Sequence, residues 1–144
     1  MKKVILYTLY WIWSFTWGII TTLIGFFAAC GLAISGHKPK HLGPNIYFVV
    51  GKNWGGVNFG PFFLISESGE NTTKYHEAGH GLQNLIWGPL FPFVIAIPSA
   101  IRYWYRELKY YRKGQNPKTS YDSIWFEGQA TKWGNKVYNR KENN

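Results

Sequence analysis

The first strong pattern in the chain is an unbroken run of uncharged residues, 4–35, in which Leu, Ile, Phe, Trp and Tyr dominate. A helix needs about 20 such residues to cross a ~30 Å hydrocarbon core, whereas a full helical hairpin needs more residues than the run provides. The pattern therefore predicts one transmembrane helix that is longer than the hydrocarbon core is thick. Either this helix is tilted, or the end that carries Trp11, Trp13 and Trp17 lies in the membrane interface. A cleaved signal peptide is the rival interpretation, since two lysines precede the run, but the run is long and aromatic for such a peptide. We expect residues 1–36 to form an N-terminal membrane anchor.

Two runs rich in branched and aromatic residues, 46–50 and 57–65, follow a turn-rich connection and are separated by a Gly-rich segment. Runs of this kind on either side of a short polar segment predict a β-hairpin. Pro61 cannot donate a hydrogen bond to a strand ladder. We therefore expect the second strand to lie at an edge of the sheet or to carry a bulge at this position.

The rest of the chain has helical character with one marked interruption. Residues 85–101 are apolar and uncharged, but Pro89, Pro92 and Pro98 break any straight helix, so this segment is not expected to span the membrane. The other expected elements are a helix over 73–87, an interfacial helix over 101–113, an amphipathic helix over 121–137 and a disordered tail over 139–144. The fold class is thus predicted to be α+β, with the anchor followed by a single domain over residues 37–138.

Composition supports a membrane location. Aromatic residues make up 19% of the chain and eight of them are Trp, and such rings favour the lipid headgroup boundary. The net charge of +9 suits contact with anionic headgroups, while no basic helix or aromatic-interleaved motif indicates a nucleic-acid partner. Basic residues outnumber acidic ones after residue 36, which favours a domain on the cytoplasmic side. Cys30 is the only cysteine, so neither an internal disulfide nor a cysteine-based metal cluster can form.

The most informative chemical pattern is His-Glu-x-x-His at residues 76–80. On a helix the side chains of His76 and His80 project from one face about one turn apart, close enough to bind the same metal ion. Two neutral imidazoles suit Zn²⁺, and Glu77 can reach a zinc-bound water without binding the metal itself. The pattern therefore predicts a Zn²⁺ site with Glu77 as the general base.

A zinc site with two histidines needs a third protein ligand, and the sequence offers several. Glu127 is the preferred candidate, because it lies among apolar and small residues that would let a second helix pack against the first. The other candidates are His37, His41, Glu67, Glu70, Glu107, Asp122 and Glu142.

These segments together resemble the gluzincin metallopeptidases, in which a His-Glu-x-x-His helix is followed by a Glu-x-x-Ala or Glu-x-x-x-Asp helix. More narrowly, the chain is similar to a group of small bacterial membrane proteins across nearly its whole length. The shared motifs are His-Glu-x-Gly-His-x-x-Gln at 76–83, Gly-Pro-Leu at 88–90, Ile-Pro-Ser at 97–99 and Glu-x-x-Ala at 127–130. The resemblance implies a minimal zincin-like domain in the bacterial cell membrane.

The same resemblance implies a ligand set for the zinc ion: His76, His80 and Glu127. One position departs from the gluzincin pattern. The residue four after the ligand Glu is often Asp, which accepts a hydrogen bond from a ligand His, and here it is Thr131. A threonine accepts this bond without a charge, so it is expected to support the histidine less strongly.

A gluzincin-like site implies peptide hydrolysis, in which the general base deprotonates water and passes the proton to the leaving amine. Tyr121, Tyr103 and Tyr105 are candidates for the donor that stabilises the oxyanion. Gln83 lies on the same helix face as the two histidines and is expected to orient a ligand or contact the substrate. The expected partners are the lipid bilayer and a polypeptide substrate, which would pair with the strand at 57–65.

Two alternatives remain open from the sequence. The first is a catalytically silent zincin-like scaffold, or partner-binding protein, in which zinc stabilises a small core. The second is a phage or host-interaction membrane protein without a metal.

Overall fold

The computed structural model describes residues 1–139. Within them the fold is α+β, as the sequence predicts, with five α-helices and one four-stranded mixed sheet. The helices are α1 (Lys2–Thr16), α2 (Ile19–Ile34), α3 (Thr73–Trp87), α4 (Ile97–Lys109) and α5 (Trp125–Gly134). The strands are β1 (Lys40–Leu42), β2 (Asn45–Val49), β3 (Gly56–Phe59) and β4 (Phe62–Ile65). Short 3₁₀ or π segments cover Glu67–Gly69, Gly88–Leu90, Pro92–Ala96, Tyr111–Lys113, Tyr121–Ser123 and Asn135–Asn139.

The expected single transmembrane helix is wrong, because the apolar run folds as two helices, α1 and α2, bent by 103°. The bend falls at Gly18, where a Cβ atom would lie 2.4 Å from Nδ2 of the buried Asn84. The Gly18 amide bonds to the Trp13 carbonyl, and the Thr22 hydroxyl donates to the Ser14 carbonyl at 2.9 Å. The first helix therefore ends where the chain approaches α3 closely. At the bend the Thr22 hydroxyl replaces the Gly18 N–H as the donor to the Ser14 carbonyl.

No single helix in the described residues is both long enough and apolar enough to cross a membrane. Two bent pairs of helices have the necessary length and composition: α1 with α2, and Thr73–Leu90 with Pro92–Lys113, the second bent by 118°. The prolines interrupt the second pair as expected, since a 3₁₀ turn and then a π segment precede α4.

The helix pair α1–α2 packs against both α3 and the sheet. The Trp13 indole donates to the Leu85 carbonyl at 2.8 Å, a group that receives no helical hydrogen bond because Pro89 has no N–H. The Tyr10 hydroxyl donates to Oδ1 of Asn45 at 2.6 Å. The N-terminal segment is therefore joined to the core by one exposed and one buried hydrogen bond.

The sheet has the strand order β1-β2-β4-β3, with β2 and β4 parallel and the other pairs antiparallel. The predicted hairpin between residues 46–50 and 57–65 is wrong. The second run is itself a hairpin, in which β3 and β4 meet at Gly60 and Pro61, and Gly60 has a φ of +71°. Pro61 lies in this turn rather than in an edge ladder or a bulge, so its missing N–H removes no ladder bond. This arrangement leaves β3 as an edge strand of the sheet.

Helices α3 and α5 cross with their backbones in contact. A Cβ atom at Gly79 would lie 2.0 Å from the Ala130 carbonyl oxygen, and one at Gly134 would lie 1.8 Å from the Tyr75 carbonyl oxygen. Each glycine costs about 1 kcal/mol relative to alanine in a helix interior. The close crossing offsets this cost and brings the His-bearing and Glu-bearing helices together.

The last helix is shorter than predicted, because only Trp125–Gly134 of the expected 121–137 is α-helical and the flanking turns are 3₁₀ and π. Asn139 was expected to begin a disordered tail but instead ends the π segment, where its Nδ2 donates to Oδ1 of Asn135 at 3.0 Å. The rest of the expected tail, residues 140–144, lies outside the described residues.

Candidate metal centre

The crossing of α3 and α5 brings three ligand-type side chains together. Nε2 of His76 and Nε2 of His80 are 3.1 Å apart. Oε2 of Glu127 lies 3.1 Å from Nε2 of His76 and 3.2 Å from Nε2 of His80. Within residues 1–139, this is the only group of three or more His, Cys, Asp or Glu side chains placed to hold a metal ion.

The triangle of ligand atoms fits Zn²⁺. In a tetrahedral zinc site with bonds of about 2.0–2.1 Å, two ligand atoms lie about 3.3–3.4 Å apart, close to the separations here. Glu127 is 0% exposed and its Oε1 has no hydrogen-bond partner, an arrangement that is costly for a carboxylate without a cation. Burial opposes ionisation of Glu127, but the adjacent imidazoles of His76 and His80 outweigh it and hold the pKa of the carboxyl well below its usual range. Two imidazoles and a carboxylate are a known donor set for catalytic zinc.

Gln83 fixes the proton position on His80. Nε2 of Gln83 donates to the Phe126 carbonyl at 2.8 Å and to Oε1 of Gln129 at 2.9 Å, so the amide oxygen of Gln83 faces the other way. That oxygen lies 2.7 Å from Nδ1 of His80. Because a carbonyl oxygen can only accept, Nδ1 carries the proton, and a neutral His80 presents an unprotonated Nε2 to the metal position.

Thr131 contacts Nδ1 of His76 in the same way that Gln83 contacts Nδ1 of His80. Its hydroxyl oxygen is 2.7 Å from Nδ1 of His76, on α5 one turn after Glu127. When the hydroxyl accepts from Nδ1, Nε2 of His76 is likewise left free for a metal. The structure thus places Thr131 where the gluzincin pattern has Asp.

Glu77 lies beside the triangle and has no partner at Oε2. Burial is the main cause that raises the pKa of its carboxyl to about 7. The charge of His80 lowers this pKa, and the negative charge of Glu127 raises it further. The side chain lies against the edge strand, since a Cβ atom at Gly56 would be 2.6 Å from Oε1 of Glu77. Nδ2 of Asn58 donates to the Glu77 backbone carbonyl at 2.7 Å and ties β3 to α3. A carboxyl group that titrates near neutrality beside the ligands is suited to proton transfer.

A cavity of about 840 Å³ lies over the centre and is lined by His76, Glu77 and His80. Its other walls come from β3, the segment before α3, α4, the turn that precedes α5, and α5 with the π segment after it. The Tyr103 hydroxyl donates to the Trp54 carbonyl at 2.6 Å. This bond joins α4 to the loop before β3, so the cavity is bounded by elements from both halves of the chain.

Of the three tyrosines considered as oxyanion donors, Tyr121 has the most suitable position. It lines the cavity, and its ring centroid is 6.2 Å from that of His76. Burial, followed by the Glu127 carboxylate, raises the pKa of Tyr121, so its hydroxyl keeps the proton it would donate. Tyr103 already donates to Trp54, and Tyr105 is half exposed and is not part of the cavity wall.

The other candidate third ligands are not gathered at the centre. Glu70 pairs with Lys40 on the surface, and Asp122 lines the cavity without joining the ligand group. The candidates that the structure leaves outside this group are His37, His41, Glu67, Glu70, Glu107 and Asp122. Glu142 lies outside the described residues.

Sequence reasoning missed Arg102 and Arg106 of α4, which both have their guanidinium groups 5.6 Å from the Tyr121 ring centroid. They hydrogen-bond the backbone carbonyls of the segment before α5. The sequence contained a pattern that could have identified them. The two arginines are four residues apart, a spacing that places both on one side of a helix whose other face is apolar.

Comparison of the chain with models of known families, with curated proteins and with solved structures finds no match. The fold and the site define an α+β protein with a largely buried His₂Glu group on two crossing helices. Its function is therefore inferred from the residues of the site and from the motifs in the sequence.

Proposed function

We propose that this protein is a membrane-anchored zinc metallopeptidase. The observation that carries the proposal is the triangle of His76, His80 and Glu127, of which His80 and Glu127 are buried and His76 is partly buried, with the Glu77 carboxyl beside it at a cavity wall. Three protein ligands leave one tetrahedral position for water, which is the arrangement of catalytic rather than structural zinc sites. The resemblance to gluzincins supports the same function.

In this mechanism Glu77 moves the proton. Zinc, when bound, supplies a Lewis acid that lowers the pKa of water and polarises the substrate carbonyl. Glu77, whose Oε2 has no partner, takes the proton from the attacking water and later gives it to the leaving amine. The Tyr121 hydroxyl donates a hydrogen bond to the oxygen on which negative charge develops.

The edge strand provides a means of holding an extended substrate. Within residues 1–139, β3 pairs with β4 on one side only, and Gly56, Val57 and Asn58 line the cavity. A peptide can therefore add to the open edge through main-chain hydrogen bonds. The scissile bond would then lie over the His pair.

Zinc content and peptide hydrolysis, measured on the same detergent-purified preparations, test the proposal. We expect one zinc per wild-type chain and loss of zinc in His80→Ala and Glu127→Ala. Glu77→Gln should keep its zinc but lose turnover of a peptide library by roughly 10²- to 10⁴-fold, because it removes the general base. A wild-type chain that takes up no zinc, or a fully loaded Glu77→Gln variant with unchanged turnover, contradicts the proposal.

Thr131 favours a second candidate, a catalytically silent scaffold in which zinc stabilises the core and the protein binds a partner. An uncharged acceptor supports the basicity of His76 less than a carboxylate would. In a scaffold, Glu77→Gln leaves zinc content and partner binding unchanged, and neither chain hydrolyses peptides.

We further propose that α1 and α2 insert into the bacterial cell membrane, with α4 in the interface and the metal domain on the cytoplasmic side. Both N-terminal helices expose large apolar side chains along their outer faces. The outward stripe of α4 and the π segment before it consists of Phe93, Ile97, Ile101, Trp104, Tyr105 and Leu108. Residues at this spacing share one helix face, and Lys109, Arg112 and Lys113 at its end suit anionic headgroups.

A further inference from the structure

The cavity over the metal centre has a positively charged wall formed by Arg106. This residue is only 5% exposed and lines the cavity together with Tyr121. Arg102 lies one turn earlier on α4 and does not line the cavity. The cavity therefore has its zinc ligands at one wall and a single buried guanidinium at another.

The Arg106 guanidinium is incompletely satisfied. It donates to the Thr119 carbonyl at 2.9 Å and makes two long contacts of 3.4 Å, to the Ser120 carbonyl and the Tyr111 hydroxyl. Its Nε–H is buried and has no partner. All three acceptors are uncharged, and within residues 1–139 no carboxylate forms an ion pair with Arg106.

A buried cation without an anion is costly, and the cost falls when a carboxylate supplies charge and hydrogen bonds together. The Tyr121 ring shields one side of the guanidinium by a cation–π contact of 5.6 Å but brings no negative charge. Arg102 makes the same contact, yet its Nε and Nη2 bond to the Tyr121 carbonyl at 3.2 and 2.9 Å. Of the two arginines, Arg106 is the one that is both buried at the cavity and short of partners.

Tyr121 also relates Arg106 to the metal centre. The centroid of its ring lies 6.2 Å from that of the His76 ring and 5.6 Å from the Arg106 guanidinium, so the guanidinium is within about 12 Å of the His76 ring. An extended peptide advances about 3.3–3.6 Å per residue. A carboxylate bound at Arg106 is therefore within about four residues of a peptide bond held at the zinc ligands.

We propose that Arg106 binds a carboxylate of the substrate, so that the cavity selects peptides with a negative charge within a few residues of the cleaved bond. This inference rests on the proposed peptidase function and names its substrate class. The carboxylate comes either from an Asp or Glu side chain or from the substrate C-terminus, since both present the same group to a guanidinium.

Binding of labelled peptides to the zinc-loaded Glu77→Gln variant, measured by fluorescence anisotropy, tests the inference without requiring turnover. Three peptides of one sequence are compared. The first has an internal Glu and an amidated C-terminus, the second has Gln in place of Glu and an amidated C-terminus, and the third has Gln and a free C-terminus. The second peptide is the neutral form, and each of the others adds one carboxylate to it. We expect one carboxylate form to bind roughly 10- to 100-fold more tightly than the neutral form, as for a charge-assisted hydrogen bond. The tighter form identifies the source of the carboxylate.

Arg106→Gln and Arg102→Gln, each made in the Glu77→Gln chain, form a matched pair because both remove a guanidinium that holds the segment before α5. The carboxylate preference should disappear in the Arg106 variant and persist in the Arg102 variant. Equal binding of all three peptides to the parent chain overturns the inference and needs no further variant. A carboxylate preference that is lost equally in both variants also overturns the inference. The preference would then depend on the overall charge of the protein or on the position of the segment before α5, and not on Arg106 itself.

The two proposals fail in different ways. Binding and cleavage of peptides without a carboxylate preference removes the role of Arg106 and leaves the peptidase. A zinc-loaded chain that neither binds nor cleaves any peptide removes both.

Discussion

Hydrogen bonds on the far side of the two imidazoles decide which ring nitrogen is available to zinc. At His80 the acceptor is the Gln83 amide oxygen, held in place because the amide nitrogen donates to Phe126 and Gln129. At His76 the partner is the Thr131 hydroxyl. The proposed ligands are therefore oriented by Gln83 and Thr131, which lie outside the proposed ligand set.

Replacing Gln83 with Leu should weaken zinc binding without removing any ligand. Nδ1–H of His80 would lose its buried acceptor, and we expect the zinc affinity to fall roughly 10- to 100-fold and the unfolding free energy to fall by about 1–3 kcal/mol. Chelator competition measures the first quantity and thermal unfolding of the apoprotein the second. Gln129→Leu is the control, because it leaves the Gln83–His80 bond in place, and equal losses of affinity in the two variants would contradict this role.

Among the secondary-structure elements, the crossing of α3 and α5 has the largest consequence for the site. Glycines let the two backbones touch at Gly79 and Gly134, and this contact sets the distance between the His pair and Glu127. The turn at Gly60 and Pro61 has a similar role for β3, since it returns the chain along β4 and leaves β3 at the sheet edge beside Glu77.

Replacing Gly79 with Ala should destabilise the protein even though alanine favours helix. The new methyl would fall 2.0 Å from the Ala130 carbonyl oxygen. Forcing the helices apart costs typically about 1–3 kcal/mol, which the helix-propensity gain of about 1 kcal/mol offsets only in part. Zinc content should fall as well, because Glu127 moves with α5.

Gly31→Ala in α2 is the matched control, since no heavy atom lies within 4 Å of its added methyl. We expect this variant to be as stable as the wild type or more stable by up to about 1 kcal/mol. Similar thermal unfolding and zinc content for the two variants would contradict the importance of the helix crossing.

On the scale of the whole molecule, the apolar surface is concentrated on α1, α2 and the outer side of α4. Exposed side chains on these elements include Phe27 and Ile34 of α2 and Ile101 of α4. The opposite side of α4 carries Arg106 and borders the cavity, and Trp104 lies at the boundary, since it is exposed on the apolar stripe and also lines the cavity. A single amphipathic helix thus separates the proposed lipid-facing surface from the proposed substrate cavity.

Reconstitution into lipid vesicles tests this orientation. In a Cys30→Ser background, an environment-sensitive fluorophore attached at Ile101→Cys should shift to the blue on reconstitution and be protected from a water-soluble quencher, because Ile101 lies on the apolar stripe. A label at Lys132→Cys, an exposed position on α5, should remain accessible to the quencher. Equal quenching at both positions would contradict an interfacial α4.

Much of the local structure could be read from the sequence because it depends on neighbouring residues. The α3 helix begins and ends where predicted, and the prolines break the following segment as expected. The predicted hairpin was wrong because two β-like runs do not specify whether they pair with each other or fold separately. Gly60 and Pro61 were a turn signal inside the second run.

The sequence by itself determined the ingredients of this protein: the apolar N-terminal run, the α+β class, and a pair of histidines at the spacing that places them on one helix face. Only the tertiary structure decided that Glu127 meets them, that the apolar run bends at Gly18, and that β3 becomes the edge strand. It also decided that Arg106 is buried at the cavity with an unpartnered Nε–H. The reason is physical: helical periodicity is a local property, whereas contacts between distant segments depend on how closely backbones approach, as at Gly79 and Gly18.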